Sequence, residues 1–267
     1  MGSPITRRRL IEMKAAGERI ACLTCYDATF CRVLEAAGVD VLLVGDSLGM
    51  VLQGESSTVP VTLEQMVYHS RCVARVRERA LLIADLPFLT YATPQRAIDA
   101  AAALMRDGGA DMVKLEGGAA MVETVRMLAG LGVPVCAHLG LLPQSVHQLG
   151  GYRYQGKDSD GASQIRRDAR ALEAAGASLL VLECVPADLA AEVTGSLTIP
   201  TIGIGAGNRC DGQVLVLHDM LGLHSIRPPR FSKDFLAESR GSVQAAVAAY
   251  VAAVRDGSFP GAEHTLA

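Results

Sequence analysis

The chain has 267 residues, half of them hydrophobic and 20% charged, with a formal net charge of −3. That length suits one large α/β domain with a sizeable core. Near-balanced charge without a basic stripe argues against a nucleic-acid or anionic-membrane partner, and no apolar run reaches the length of a membrane span.

Taken in chain order, residues 1–19 read as a leading amphipathic helix placed to cover one end of the fold. Arg7-Arg8-Arg9 is followed by no long apolar segment, so no secretory signal is expected and the cytoplasm is the expected compartment. The first strand is predicted at 20–26. It holds Cys22 and Cys25, whose spacing of three sends them to opposite faces. The seven cysteines lack a second pair at zinc spacing and are read as buried free thiols. Further strands are predicted at 39–47, 80–87, 111–117, 133–140, 178–185, 200–205 and 213–217. Most are continuous apolar runs, the pattern of strands buried on both faces. Ala-rich helical stretches alternate with them, with 66–79, 96–107 and 164–175 as examples. Thr62 followed by Gln65 forms a capping-box pattern. Thr93-Pro94 supplies an N-cap with proline at the first helical position. Gly38 and Gly176 suit left-handed helix ends. Residues 141–162 form a long excursion after the fifth strand, 242–255 a final helix, and 256–267 a flexible tail.

Eight βα-like units without a linker predict a single domain over 1–267, a (β/α)₈ TIM barrel with a leading N-terminal helix and a C-terminal helix. The rival is a doubly wound open sheet. It would place a glycine-rich dinucleotide fingerprint after the first strand, where Tyr26-Asp27-Ala28-Thr29 stands.

In such a barrel the chemistry collects at the carboxyl ends of the strands. Those ends carry Asp46 and Ser47, Asp85, Lys114 and Glu116, His138, and Glu183. One acid at a strand end often only caps the next helix. Four acids, each ending an apolar strand, are harder to explain that way, because buried carboxylates repel unless a cation or proton joins them. A hard divalent metal held by oxygen answers that problem, and Mg²⁺ fits carboxylate and water ligands. Lys114 and Glu116, two apart, share a strand face. They are read either as reaching a bound substrate or as a structural ion pair. Glu183 after an apolar run is read either as a base with a raised pKa or as a plain buried acid. The glycines of 203–207 are read either as a phosphate cradle or as a tight turn. His69, His147 and His218 stand alone and are read as structural.

Several motifs occur together in order: Val44-Gly45-Asp46-Ser47-Leu48-Gly49-Met50, Ala84-Asp85-Leu86-Pro87-Phe88, Val113-Lys114-Leu115-Glu116-Gly117-Gly118 and His138-Leu139-Gly140. They continue with Pro143-Gln144-Ser145-Val146-His147-Gln148-Leu149-Gly150-Gly151-Tyr152, Leu182-Glu183-Cys184-Val185-Pro186 and Ile202-Gly203-Ile204-Gly205-Ala206-Gly207. This set resembles the ketopantoate hydroxymethyltransferases (3-methyl-2-oxobutanoate hydroxymethyltransferases), from about residue 5 to about 235. The resemblance implies transfer of a hydroxymethyl group from 5,10-methylenetetrahydrofolate to 3-methyl-2-oxobutanoate, yielding 2-dehydropantoate in pantothenate biosynthesis. By position it implies Asp46, Asp85 and Glu116 as the site of one Mg²⁺ per subunit. It implies Asp46, Ser47, Asp85 and Lys114 as contacts to the 2-oxo acid, and Glu183 as proton acceptor, with His138 a further candidate on the same rim. It also implies small-molecule substrates and a cytoplasmic homo-oligomer, a decamer. Leu142 stands where the family places Thr, and Arg230-Phe231-Ser232-Lys233 departs from its usual C-terminal pattern. Two alternatives are weighed. One is a Mg²⁺-dependent 2-oxo acid lyase or mutase of the isocitrate lyase/phosphoenolpyruvate mutase type. The other is an inactive barrel serving as a scaffold, against which the intact acids and Lys114 speak.

Overall fold

The computed structural model describes residues 3–223 and 228–265. Eight parallel strands, β1 (Ile20–Thr24), β2 (Val41–Val44), β3 (Leu81–Asp85), β4 (Met112–Glu116), β5 (Val135–Gly140), β6 (Leu179–Glu183), β7 (Thr201–Ile204) and β8 (Gly212–Leu215), pair in sequence order and close on themselves. The expected (β/α)₈ barrel is what the chain forms. Period-two alternation decides which side chains fill it. Val41, Leu43, Leu81, Ile83, Met112 and Val181 pack in the inner cluster. Their neighbours Leu42, Leu82, Val113 and Leu180 pack in a second cluster outside, together with apolar residues of the surrounding helices. Both faces are therefore buried, which is why the strands read as unbroken apolar runs. The barrel closes where Ile20 of β1 lies opposite Gly212 of β8. Any Cβ at 212 would clash with the Ile20 carbonyl oxygen, so the seam needs glycine.

The predicted strands overrun the observed ones at their ends. Residues 45–47 and 86–87, for instance, lie beyond β2 and β3, yet most of them remain buried. An apolar run marks burial, not the last hydrogen bond of a ladder. The helix predicted at 66–79 is Leu63–Ala74. The next residues serve the start of β3 instead. Arg77 pairs with Asp111, and the Arg79 guanidinium lies 3.3 Å from Asp40. The helix predicted at 96–107 is Pro94–Ala102 followed by a wide turn, Ala103–Asp107, and that predicted at 164–175 is Ser159–Ala174. The Thr62 capping box, the Thr93 cap with Pro94 behind it, and the positive φ of Gly38 and Gly176 are all present. All seven cysteines are free.

The leading helix is shorter than 1–19, spanning Arg7–Ala16, because Thr6 caps its start and Gly17 turns left-handed at its end. Leu10 and Met13 drive into the inner cluster and plug the amino-terminal mouth of the barrel. The final helix, Val243–Asp256, crosses the β1–β8 seam. Its buried Tyr250 shares a hydroxyl hydrogen between the Cys22 carbonyl at 2.8 Å and the Gln213 carbonyl at 3.0 Å. The segment after this helix, expected as a loose tail, packs in its described part. Phe259 is 3% exposed, and its ring lies 5.5 Å from Phe235 and 5.8 Å from Tyr250. One aromatic among small residues gave no periodic signal for this docking.

Tyr250→Phe keeps the ring cluster and removes only the donor at the seam. We expect a stability loss of about 1–3 kcal/mol, read as a lower guanidinium midpoint by circular dichroism. An unchanged midpoint would show that the seam does not depend on the hydroxyl.

Candidate active site

The carboxyl ends of β2 to β6 place the site. Asp85 and Glu116 are the last residues of β3 and β4, and Glu183 is the last residue of β6. Asp46 follows β2 in a turn whose backbone N–H donates to Asp85 Oδ2 at 3.1 Å. Register sets Lys114 beside Asp85 and His138 beside Glu116. Neighbours in a parallel ladder share a face, so these side chains all enter the barrel end together. Lys114 Nζ donates to Asp85 Oδ1 at 2.6 Å, with both side chains buried. His138 lies between two acids, Nδ1 at 3.5 Å from Glu116 and Nε2 at 3.2 Å from Glu183. Both are ion-pair contacts rather than well-aligned hydrogen bonds. Ser47 Oγ lies 2.8 Å from the Tyr26 hydroxyl.

Glu183 differs from its neighbours in exposure. Its side chain is 14% accessible, against 3–6% for Asp85, Lys114 and Glu116. It is the least buried of these acids. The sequence places it in an apolar setting, but a histidine faces it, because the β5–β6 ladder brings His138 onto the same end of the barrel. Gly140 makes this approach possible. It sits opposite Glu183 with φ +95°, and a side chain there would strike the Glu183 carbonyl oxygen.

The electrostatics follow from burial. Burial holds the Asp46 carboxyl well above the usual carboxylate range, and Asp85 and Glu116 add to this, while Lys114 and Gln144 work against it. Burial opposes the charge on Lys114, but Asp85, Glu116 and Asp46 outweigh it and hold the ammonium above an ordinary lysine. Burial likewise opposes charge on His138, yet Glu116 and Glu183 raise it to about 9. Three carboxylates thus share one lysine.

Gln144 braces these acids from outside the strands, although sequence reasoning assigned it no role. It lies in a 3₁₀ turn, Pro143–Ser145, within the long segment after β5. Its Nε2 donates to Asp46 Oδ2 at 2.8 Å and to the Leu86 carbonyl at 2.9 Å. Its backbone N–H donates to Glu116 Oε2 at 3.0 Å, and its Oε1 accepts from the Tyr91 hydroxyl at 2.5 Å. An uncharged amide in a loop carries no periodicity and no titration signal. The length of the excursion and the family motif at 143–152 pointed to the segment but not to this residue.

The acids expected to hold a metal thus share one rim, but they do not form a ready cage. Among the described residues, no group of three or more His, Cys, Asp or Glu side chains is placed to hold a metal by itself. Asp46 and Asp85 are linked directly, whereas Glu116 is held to one side by Gln144 and His138. That donor set suits a cation such as Mg²⁺, which keeps several waters and takes one or two carboxylates directly. At 203–207 the tight-turn reading fits, since Phe231 and Cys184 fill the space beside Gly205. His69 is structural, with Nδ1 2.8 Å from the Tyr26 carbonyl oxygen.

The family model for ketopantoate hydroxymethyltransferase matches residues 4–262. A 3-methyl-2-oxobutanoate hydroxymethyltransferase of Thiobacillus denitrificans is 65% identical over 264 residues, covering 98% of this chain and 100% of the relative. One of Burkholderia multivorans is 60% identical, covering 98% and 96%. Among solved structures, a phosphonopyruvate hydrolase in complex with oxalate and Mg²⁺ superposes with a TM-score of 0.62 at 11% identity, covering 97% of this chain and 92% of that one. At that identity the likeness is one of fold alone.

Replacing Lys114 with Met leaves three buried carboxylates without their shared cation. We expect the metal-free variant to lose about 3–5 kcal/mol of stability near neutral pH. The Asp46 carboxyl is raised in the folded state, so folding favours its protonated form, and stability falls as pH rises through that folded value. The loss should therefore shrink as pH is lowered, read from denaturant midpoints at pH 7.5 and 5. An equal loss at both values would exclude carboxylate repulsion as its source.

Proposed function

From the premise that this chain belongs to the ketopantoate hydroxymethyltransferase family and is an enzyme of it, we propose how its rim of charged residues performs the transfer. The acceptor is 3-methyl-2-oxobutanoate, the one-carbon donor is 5,10-methylenetetrahydrofolate, and the metal is Mg²⁺, one per subunit. Asp46, Asp85 and Glu116 are the residues that would hold the metal. When bound, the metal polarises the 2-oxo group and makes the neighbouring C3–H more acidic, an effect worth several kcal/mol.

The remaining work falls to the chain's own side chains. Ser47 and Lys114, with Asp46 and Asp85, orient the 2-oxo acid. Lys114 meets negative charge developing on its oxygen, where a fixed ammonium out of water counts for most. Glu183 takes the C3 proton, and His138, 3.2 Å away, holds its carboxylate in place. Water cleaves the two methylene carbon–nitrogen bonds of the one-carbon donor, its protons pass to the folate nitrogens, and tetrahydrofolate and formaldehyde result. C3 then adds to the formaldehyde carbon, and the new alkoxide takes the proton held by Glu183 to give 2-dehydropantoate. The observation that carries this reading is the pairing of a buried Asp46–Asp85–Lys114 group with a more open Glu183 on the same rim. The family match disfavours the lyase or mutase reading, for which only the shared fold speaks. No helix among the described residues is long and apolar enough to cross a membrane. On the family resemblance we also propose a cytoplasmic homo-oligomer, a decamer.

Glu183→Gln should bind the 2-oxo acid nearly as the parent does and lose roughly a hundredfold or more in turnover. The same variant should stop exchange of the C3 hydrogen with deuterium oxide, followed by proton NMR without folate. Undiminished exchange would remove Glu183 from the role. Stripping divalent ions with a chelator should abolish turnover of tetrahydrofolate, formaldehyde and 3-methyl-2-oxobutanoate, and Mg²⁺ should restore it. Full activity in the chelated enzyme would end the metal assignment.

A further inference from the structure

We propose that Gln144 is a positioning residue for the acidic rim, fixed in orientation by Tyr91, and that it sets the affinity of the metal site; the inference rests on the metal reading above. The case is one of hydrogen-bond capacity. A glutamine amide offers two N–H donors and an acceptor oxygen. Here every one has a specific partner. One donor goes to the Asp46 carboxylate, the other to the Leu86 carbonyl, and the oxygen takes the Tyr91 hydroxyl. A flipped amide would turn its oxygen toward the Leu86 carbonyl and the Asp46 carboxylate, two acceptors. The network therefore selects one orientation.

The partners come from three strand ends. Asp46 follows β2, Leu86 and Tyr91 follow β3, and Glu116 ends β4. Gln144 arrives from the turn after β5 and touches all three. It is itself buried, as is Tyr91. One oxygen of Asp46 and one of Glu116 are thereby occupied, and each carboxylate is held from the protein side. A carboxylate with one oxygen anchored has lost rotational freedom before any metal arrives, so less entropy is lost on binding. Replacing the amide by an apolar group of similar length leaves the Asp46 oxygen and the Leu86 carbonyl without this donor. The Glu116 contact, made by the backbone, survives.

The test uses the full-length enzyme, stripped of metal, with Mn²⁺ as the probe, titrated by electron paramagnetic resonance of the free ion. Gln144→Leu should weaken Mn²⁺ binding by about 10- to 100-fold. Tyr91→Phe, which frees the amide to reorient without removing it, should weaken binding in the same direction by a smaller factor. Because the effect acts through metal occupancy, the Mg²⁺ concentration for half-maximal activity should rise in both variants. kcat at saturating Mg²⁺ should stay within a few-fold of the parent, a split that a general loss of structure would not produce. A parent site left intact by both variants overturns the proposal alone. A parent enzyme with no saturable Mn²⁺ site, or one whose site Asp85→Asn leaves unchanged, overturns the metal reading and this proposal with it. If Gln144→Leu does not fold, Tyr91→Phe decides the matter by itself.

Discussion

A carboxylate taken out of water is stable only when a cation or a set of donors stands where the water stood. Asp46, Asp85 and Glu116 are all buried at one end of this barrel, and Lys114 is the lysine among them. Its bond to Asp85 and its attraction to the other two hold the group together. Backbone and amide donors do the rest, from Asp46 to Asp85 and from Gln144 to Asp46 and Glu116. Burial first, and then repulsion from Asp85 and Glu116, hold the Asp46 carboxyl above the usual range despite Lys114 and Gln144. The proposed divalent cation would supply the missing positive charge in the place where the chain is short of it.

The barrel makes this arrangement rigid. Ladder pairs on neighbouring strands cannot slide without turning every side chain to the other face. Asp85 and Lys114 therefore stay side by side, as do Glu116 and His138. The opposite end is shut by Leu10 and Met13 of the leading helix, and the seam is bridged by Tyr250. Chemistry gathers at one mouth while the other is given over to stability, the usual division in this architecture.

The same scaffold appears in enzymes at 11% identity with different named reactions. Shared backbone geometry accounts for where a site lies, not for what it does. Here the family match over residues 4–262 separates the possibilities. An open Glu183 stands beside a histidine, next to a closed group of acids around a lysine.

The sequence by itself determined the eight-unit barrel, since doubly buried strands and amphipathic helices have different apolar periods. It also determined which strand ends carry acids, because a charge that stops an apolar run is visible without coordinates. Cap residues and left-handed glycines marked helix ends for local reasons that hold in any fold. Only the tertiary structure decided the neighbours of those acids. That His138 rather than an apolar wall faces Glu183 depends on ladder register, which sums small strand offsets around the barrel. That Gln144 reaches Asp46, 98 positions away in the chain, depends on the path of a loop. The docking of Phe259 depends on a ring surface assembled from two other elements. Local chemistry is written along the chain, whereas contacts between distant residues exist only once the barrel has closed.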